Sequence, residues 1–182
     1  EKDMNKNIDI SNVTLRTERL LLRPWRESDS DDFFEYASVD GVGQMAGWLP
    51  HKSKEESLHI MNMFIAEKKT FAVEYKGKVI GSLGIEEYNE SELPEFADKM
   101  GRELGYVLSK NYWGLGLMPE AVQEVVHWLF DEEQLDFIVC GHFVNNRRSQ
   151  RVQEKCGFVH YKMNKWQTQY GTIEDNWISV LE

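Results

Sequence analysis

A glycine turn between a predicted strand and a predicted helix constrains this chain most. Residues 112–121 read YWGLGLMPEA, after an apolar run and before a strongly amphipathic pattern. Gly114 and Gly116 let the backbone approach a bulky group closely. The start of the following helix directs unpaired N–H groups, and the positive end of the helix dipole, at the same point. The segment therefore predicts a phosphate site built mainly from main-chain groups.

The length of 182 residues fits one domain with a sizeable core. We expect residues 1–14 to form a flexible N-terminal arm and residues 15–182 to form a single domain. The chain has no apolar run of the roughly 20 residues that a membrane span needs. Its first residues lack the apolar core of a signal peptide. These features favour a cytoplasmic protein that does not enter membranes.

Charge and cysteine content narrow the range of partners. The formal net charge of −10 argues against direct nucleic-acid binding and suits a cationic acceptor such as an amine or a basic peptide. Cys140 and Cys156 match no metal-ligand spacing, so we expect two reduced thiols and no metal.

Hydrophobic periodicity predicts the element order β-α-α-β-β-β-α-β-α-β-β. This order indicates an α/β (α+β) fold with a mixed sheet and helices on both faces. The nearly continuous apolar run at residues 137–144 predicts a central strand covered on both sides. Residues 90–100 are polar and acidic and predict a surface excursion.

Two familiar phosphate-binding motifs do not fit the turn. A P-loop needs Gly-Lys-Ser/Thr, and no such sequence follows Gly116. A Rossmann turn needs a third glycine at a fixed spacing, which is missing here.

A second motif indicates which family of proteins the chain resembles. Residues 146–149 read NRRS and are followed by Val152, Lys155, Gly157 and Phe158. Together with ELGYVL at residues 103–108 and WGLG at residues 113–116, this pattern resembles the GCN5-related N-acetyltransferase (GNAT) superfamily. Residues 17–24, TERLLLRP, are similar to the usual start of its RimJ/RimL-like group, which acetylates the N-termini of ribosomal proteins. The resemblance runs from about Thr17 to about Leu181.

The resemblance implies the GNAT fold and acetyl-coenzyme A (acetyl-CoA) as cosubstrate. That fold has a mixed, mostly antiparallel sheet of six to seven strands, in which two parallel central strands splay apart. The pantetheine arm would pair with the first splayed strand, and the pyrophosphate would lie on the glycine turn. The implied contacts are Val107, Leu108 and Ser109 for the arm, Trp113, Gly114, Leu115, Gly116, Leu117 and Met118 for the pyrophosphate, and Asn146 and Ser149 from the following helix. Lys110, Arg147, Arg148 and Arg151 could balance the cofactor's charge.

The transfer chemistry needs a base for the ammonium, a donor for the developing oxyanion and a donor for the departing thiolate. The resemblance places the oxyanion donor at a backbone N–H near Val107. Many superfamily members use a tyrosine seven residues after the helix asparagine, but Gln153 stands there. Ser149 is therefore the candidate acid on this helix.

Glu103 is the candidate base, because it begins the strand beside the expected reaction centre and partial burial would raise its pKa. Other groups are alternatives to Glu103 as the base, and bulk water could deprotonate an α-amine of low pKa. The rival side chains are Glu86, Glu87, Glu174, Asp175 and His142.

These observations predict an N-acetyltransferase that acts by direct transfer in a ternary complex, with a protein N-terminal α-amine as the leading acceptor. The alternatives are acetylation of a small amine, such as a polyamine or aminoglycoside, and a non-catalytic acetyl-CoA-binding module. A homodimer also stays open. We expect the acceptor site to be shaped by residues 39–50, residues 90–100 and the final hairpin, with Trp48, Phe96, Trp166 and Tyr170 as its aromatic side chains.

Overall fold

A computed structural model describes residues 7–182 and shows an eight-stranded sheet with helices on both faces. The strands are β1 (Leu15–Arg16), β2 (Leu20–Pro24), β3 (Thr70–Tyr75), β4 (Lys78–Glu86), β5 (Gly101–Leu108), β6 (Phe137–Phe143), β7 (Val159–Gln167) and β8 (Ile173–Leu181). The helices are α1 (Ser30–Ala37), α2 (Lys54–Glu67), α3 (Leu117–Asp131) and α4 (Arg147–Lys155). The strand order is β1-β2-β3-β4-β5-β6-β8-β7. The expected mixed sheet is therefore confirmed, with β1 as one strand more than expected.

Alternating apolar side chains bury both faces of the sheet. The α3/α4 face packs residues such as Val122 and Leu129 of α3 against Leu83 of β4. The α1/α2 face packs Phe33 of α1 and Met61 of α2 over its own cluster. Successive side chains on one strand therefore point alternately to the α3/α4 face and to the α1/α2 face.

The central strands β5 and β6 run parallel and then diverge. Their pairing begins at Gly101 with Phe137 and ends at Leu104 with Cys140. Beyond that point β5 continues to pair with β4, and β6 continues to pair with β8. The divergence between residues 105–108 of β5 and residues 141–143 of β6 is called the split below. The expected pair of splayed parallel strands is thus confirmed.

The start of the chain differs from the expectation of a loose arm over residues 1–14. Ile8 and Ile10 are 3% and 1% exposed and belong to the main core. The Ile10 N–H donates to the Lys68 carbonyl at 2.9 Å. The expectation is wrong for this stretch, because its two isoleucines complete the α3/α4 face. Residues 1–6 of that arm lie outside the described residues.

Residues 90–100 also differ from the expected surface excursion. They contain two short 3-10 turns, Glu90–Glu92 and Pro94–Phe96, and they bury Leu93 and Phe96. The Phe96 ring lies 4.5 Å from that of Phe137 at the start of β6. The segment therefore covers the sheet with two apolar side chains, although its acidic residues make the sequence look solvated.

Cys140 and Cys156 are the two cysteines of the chain. Cys140 is buried and Cys156 is half-buried, and both are free thiols. Across residues 7–182, the helices all fall short of the length and apolar character that crossing a membrane requires.

Candidate active site

A cavity of about 520 Å³ lies at the split. Its wall includes Tyr106 and Leu108, which belong to the α3/α4 face, and Glu103 and Val107, which belong to the other face by strand alternation. The cavity therefore reaches both faces of the sheet through the gap between β5 and β6.

The glycine turn forms one end of this cavity. Gly114 and Gly116 have φ values of 81° and 75°, which favour glycine. The first hydrogen bond of α3 is donated by Glu120 to the Gly116 carbonyl at 3.3 Å. The N–H groups of Gly116, Leu117 and Met118 therefore have no acceptor within the helix. Trp113, Gly114, Gly116, Leu117 and Met118 line the cavity, whereas the Leu115 side chain is 51% exposed.

Thr17 and Arg19, just before β2, hold the glycine turn in place with hydrogen bonds; these contacts are called the clamp. The Arg19 guanidinium donates to the Leu115 carbonyl and to the Glu120 carboxylate, at 2.9 and 2.8 Å. The Thr17 hydroxyl donates to the same carboxylate at 2.5 Å. These bonds fix the turn and neutralise the one acidic side chain in the first turn of α3. They give the TERL sequence at residues 17–20 a structural role.

Cationic side chains from α4 line the same end of the cavity. They are Arg148, Arg151 and Lys155. The Arg148 guanidinium carbon lies 3.4 Å from the centre of the Trp113 ring, so a cation–π contact bridges the split. Lys155 was missing from the sequence-based candidates, although it follows Arg151 at the i+4 spacing that shares a helix face.

The free backbone edge of β5 agrees with the expected one at Leu108 and differs from it at Val107 and Ser109. Ser109 donates its N–H to the Ile80 carbonyl at 2.7 Å, so this group is not available. Directly opposite residues of an antiparallel pair alternate in hydrogen bonding, so Val107 likewise bonds toward its partner Ser82. The groups that point into the split belong to Tyr106 and Leu108, and the Leu108 carbonyl accepts from the Trp113 indole at 2.9 Å. The expected oxyanion donor near Val107 stays a prediction, with the Tyr106 N–H and the Leu108 N–H, one on each side of Val107, as the groups that face the split.

The beginning of α4 brings Asn146 and Ser149 to the cavity. The Asn146 side-chain oxygen accepts from the Ser149 N–H at 3.2 Å and caps the helix. This leaves the Asn146 amide nitrogen as the group that can donate to a ligand.

Ser149 has a partner that sequence reasoning missed. Its hydroxyl lies 2.8 Å from the Tyr106 hydroxyl, and the Gln153 amide nitrogen lies 3.3 Å from both oxygens. The signal was present in the sequence, because Tyr106 is the tyrosine of the ELGYVL strand, but its partners are more than 40 residues away.

Glu103 lines the cavity on the α1/α2 face and is half-buried. Burial, followed by the charges of Glu92 and Glu86, raises its pKa to about 7. Glu86 lies directly across from it on β4 and also lines the cavity, but its carboxylate pairs with Lys69 at 2.6 Å. Glu103 is therefore the carboxylate whose environment suits a base near neutral pH.

The other rival bases lie in different surroundings. His142 is buried with its Nε2 3.0 Å from that of His160, and burial lowers its pKa. Asp175 forms an ion pair with Lys165, and the exposed Glu87 lies 4.0 Å from Arg102. Glu174 is half-buried on β8.

The α1/α2 end of the cavity is enclosed by two segments that touch. The Gln169 N–H, in the loop between β7 and β8, donates to the Gly47 carbonyl at 2.8 Å. Met45 and Trp166 line the cavity there. Trp48 and Phe64 wall a second cavity of about 180 Å³ above Gly84 and Gly105. Of the four aromatic candidates, Trp48 and Trp166 thus line cavities, Phe96 packs in the core, and Tyr170 donates to the Gln44 carbonyl at 3.4 Å.

Comparisons with known proteins agree with this architecture. The family model described as an acetyltransferase (GNAT) domain matches residues 19–159. The uncharacterized N-acetyltransferase YoaA of Bacillus subtilis is 30% identical over 151 residues, which make up 79% of this chain and 81% of YoaA.

Solved structures share the fold. A GNAT-family acetyltransferase from Bacillus anthracis superimposes with a TM-score of 0.80 at 21% identity, covering 93% of this chain and 98% of the other. The ribosomal-protein-S5-alanine acetyltransferase from Vibrio fischeri gives a TM-score of 0.68 at 22% identity, covering 93% and 96%. At these identities, the likenesses show a shared fold.

Proposed function

Because this chain belongs to the GNAT acetyltransferase family and is thus an acetyl-CoA-dependent acyltransferase, we propose that it acetylates protein N-terminal α-amines by direct transfer in a ternary complex. One observation carries the choice of acceptor. Glu103 has a pKa of about 7 and lies in the cavity at the split, on the opposite face from Ser149.

The residues at the α3/α4 end fit the cosubstrate. The N–H groups of Gly116, Leu117 and Met118, and the positive end of the α3 dipole, suit a pyrophosphate. Arg148, Arg151 and Lys155 add positive charge. The Leu108 N–H and the Asn146 amide are the groups that would bind the pantetheine arm in the split. When bound, acetyl-CoA supplies an acetyl group activated as a thioester.

The pKa of the base favours an α-amine over a lysine-type amine. Transfer of a proton from an α-ammonium of pKa about 8 to a carboxylate of pKa about 7 costs about 1.4 kcal/mol. The same transfer from an ammonium of pKa about 10.4 costs about 4.6 kcal/mol. Glu103 can therefore deprotonate an N-terminal amine near neutral pH with little expense of free energy.

A small-amine acceptor is the second candidate, and one observation favours it. Glu86 and Glu103 line the α1/α2 end of the cavity, and the charges of Glu86 and Glu92 both raise the pKa of Glu103. Such a site would attract a polyamine. A non-catalytic acetyl-CoA-binding role is the third candidate, which Gln153 at the usual tyrosine position would explain.

A thiol-release assay with acetyl-CoA separates the three. The panel holds peptides with free N-termini, the same peptides with blocked N-termini but free lysines, polyamines and aminoglycosides. We expect turnover with free N-termini only. Turnover confined to polyamines or aminoglycosides would replace the proposal with the second candidate. Calorimetric binding of acetyl-CoA with no turnover on the whole panel would replace it with the third.

A further inference from the structure

Inside the cavity, the Tyr106 side chain of β5 contacts Ser149 of α4. The Tyr106 hydroxyl lies 2.8 Å from Ser149 Oγ and 3.1 Å from the Ser149 carbonyl oxygen. Both residues are half-buried and line the cavity at the split. This pair of hydroxyls can therefore form a hydrogen bond with a group bound beside it in the split.

The hydrogens of this cluster can be assigned from their partners. The Gln153 amide nitrogen donates to the Gly141 carbonyl at 3.0 Å, which leaves its second hydrogen for the Tyr106 and Ser149 oxygens at 3.3 Å. The Tyr106 hydroxyl has a single hydrogen and two acceptors within reach, Ser149 Oγ at 2.8 Å and the Ser149 carbonyl at 3.1 Å, and we assign the hydrogen to the nearer one. The Ser149 hydrogen is then left to point into the cavity.

We propose that Tyr106 is a positioning residue that orients the Ser149 hydroxyl toward the sulfur of coenzyme A in the split. This inference rests on the proposed function, because it assigns the sulfur to the side of the cavity where Ser149 lies. A chain of donors running from Gln153 through Tyr106 to Ser149 strengthens its last hydrogen bond by mutual polarisation.

The role is that of a hydrogen-bond donor to developing negative charge. During transfer the carbon–sulfur bond breaks, its electron pair stays on sulfur, and a carbon–nitrogen bond forms. One amine proton goes to Glu103 and the second leaves to solvent, so the hydroxyl pair need not lose a proton. Burial raises the pKa of Tyr106 well above its usual value, which keeps the phenol protonated at any working pH.

Turnover tests whether Tyr106 acts through Ser149. We expect Tyr106→Phe to lower kcat about 10-fold, the cost of one lost hydrogen bond in the transition state, with KM for acetyl-CoA unchanged. In a Ser149→Ala background the same substitution should change kcat less than 2-fold. Tyr75→Phe on β3, away from the cavity wall, is the matched control. A full 10-fold effect of Tyr106→Phe in the Ser149→Ala background would overturn the proposal.

A second measurement does not depend on turnover. The ultraviolet absorbance of the thiolate reports the pKa of the thiol of coenzyme A bound to the protein, with the coenzyme-free protein as baseline. The donor pair should lower this pKa, and either Tyr106→Phe or Ser149→Ala should raise it by about one unit. If coenzyme A binds and no amine is acetylated, the proposed function fails while this titration still decides the inference. An unchanged thiol pKa in Tyr106→Phe would refute it.

Discussion

At the residue scale, the proposed base Glu103 and the proposed donor Ser149 lie at the split on opposite faces of the sheet. Glu103 lies on the α1/α2 face, where burial and two neighbouring carboxylates raise its pKa to about 7. Ser149 lies on the other face with Tyr106. The sheet thus separates the proposed base from the proposed hydrogen-bond donor, so neither can neutralise the other.

The first prediction concerns the pH dependence of activity. A base must be deprotonated to act, so kcat/KM should rise about tenfold per unit below pH 7 and level off above it. Glu103→Gln should lower kcat/KM by at least about 100-fold and abolish the acidic limb of the profile. Glu86→Gln should keep that limb, since Glu86 is held by Lys69. Steady-state rates from pH 5.5 to pH 9 measure both, and an intact limb in Glu103→Gln would assign the base elsewhere.

The same pKa predicts a cost in stability. The folded state holds the Glu103 proton up to about pH 7, whereas the unfolded chain releases it near pH 4.5. The contribution of this carboxyl to stability is therefore fully present below pH 4.5 and is lost as pH rises through 7. Glu103→Gln should raise Tm above that of the wild type at pH 8, and the gain should vanish at pH 4. Thermal unfolding at both pH values checks this; an equal difference at both would contradict it.

At the scale of elements, the proposed phosphate site depends on backbone conformation more than on side chains. Gly114 and Gly116 adopt positive φ values, and the clamp from Thr17 and Arg19 holds the turn against α3. Side chains can then vary while the N–H groups keep their positions.

The chain contains a matched pair of glycines that tests this point. Gly114 and Gly77 have φ values of 81° and 79°, and an added Cβ would contact nothing within 4 Å at either site. Alanine should cost each variant about 1 kcal/mol of stability through backbone strain. Only Gly114→Ala should also weaken acetyl-CoA binding, by about 10-fold, because it shifts the N–H groups of the turn. Urea unfolding and calorimetry measure the two effects; equal affinities in the two variants would argue against the turn as the binding site.

At the scale of the whole molecule, the N-terminal segment belongs to the core. Ile10 is 1% exposed and Ile173 is 68% exposed. Ile10→Ala should therefore destabilise the protein by about 3 kcal/mol, and Ile173→Ala by no more than about 0.5 kcal/mol. Urea unfolding gives both values, and a small effect of Ile10→Ala would restore the loose-arm interpretation.

Much of this architecture could be predicted from periodicity, because long apolar patterns reflect burial directly. The run at residues 137–144 became the central strand β6, and the amphipathic pattern after Pro119 became α3. A strand of two residues such as β1 carries no period to detect. Ile8 and Ile10 are too few to show a pattern against polar neighbours, and Leu93 and Phe96 are hidden among acidic residues.

The site was predictable where the backbone makes it and less so where distant side chains meet. The glycine turn and the Asn146–Ser149 segment follow from local sequence. The contact between Tyr106 and Ser149 spans 43 positions and depends on the divergence of two strands. Which N–H groups of β5 stay free depends on its pairing with β4, and a register of that kind cannot be read from β5 alone.

The cavity that reaches both faces has a consequence for inhibitor design. A conjugate that joins an acceptor peptide to coenzyme A through its sulfur would have to thread the slot between β5 and β6, with one half on each side of the sheet. Each half would raise the local concentration of the other at its own subsite, so such a conjugate should bind far more tightly than either fragment. Its linker would need only the length of one acetyl unit.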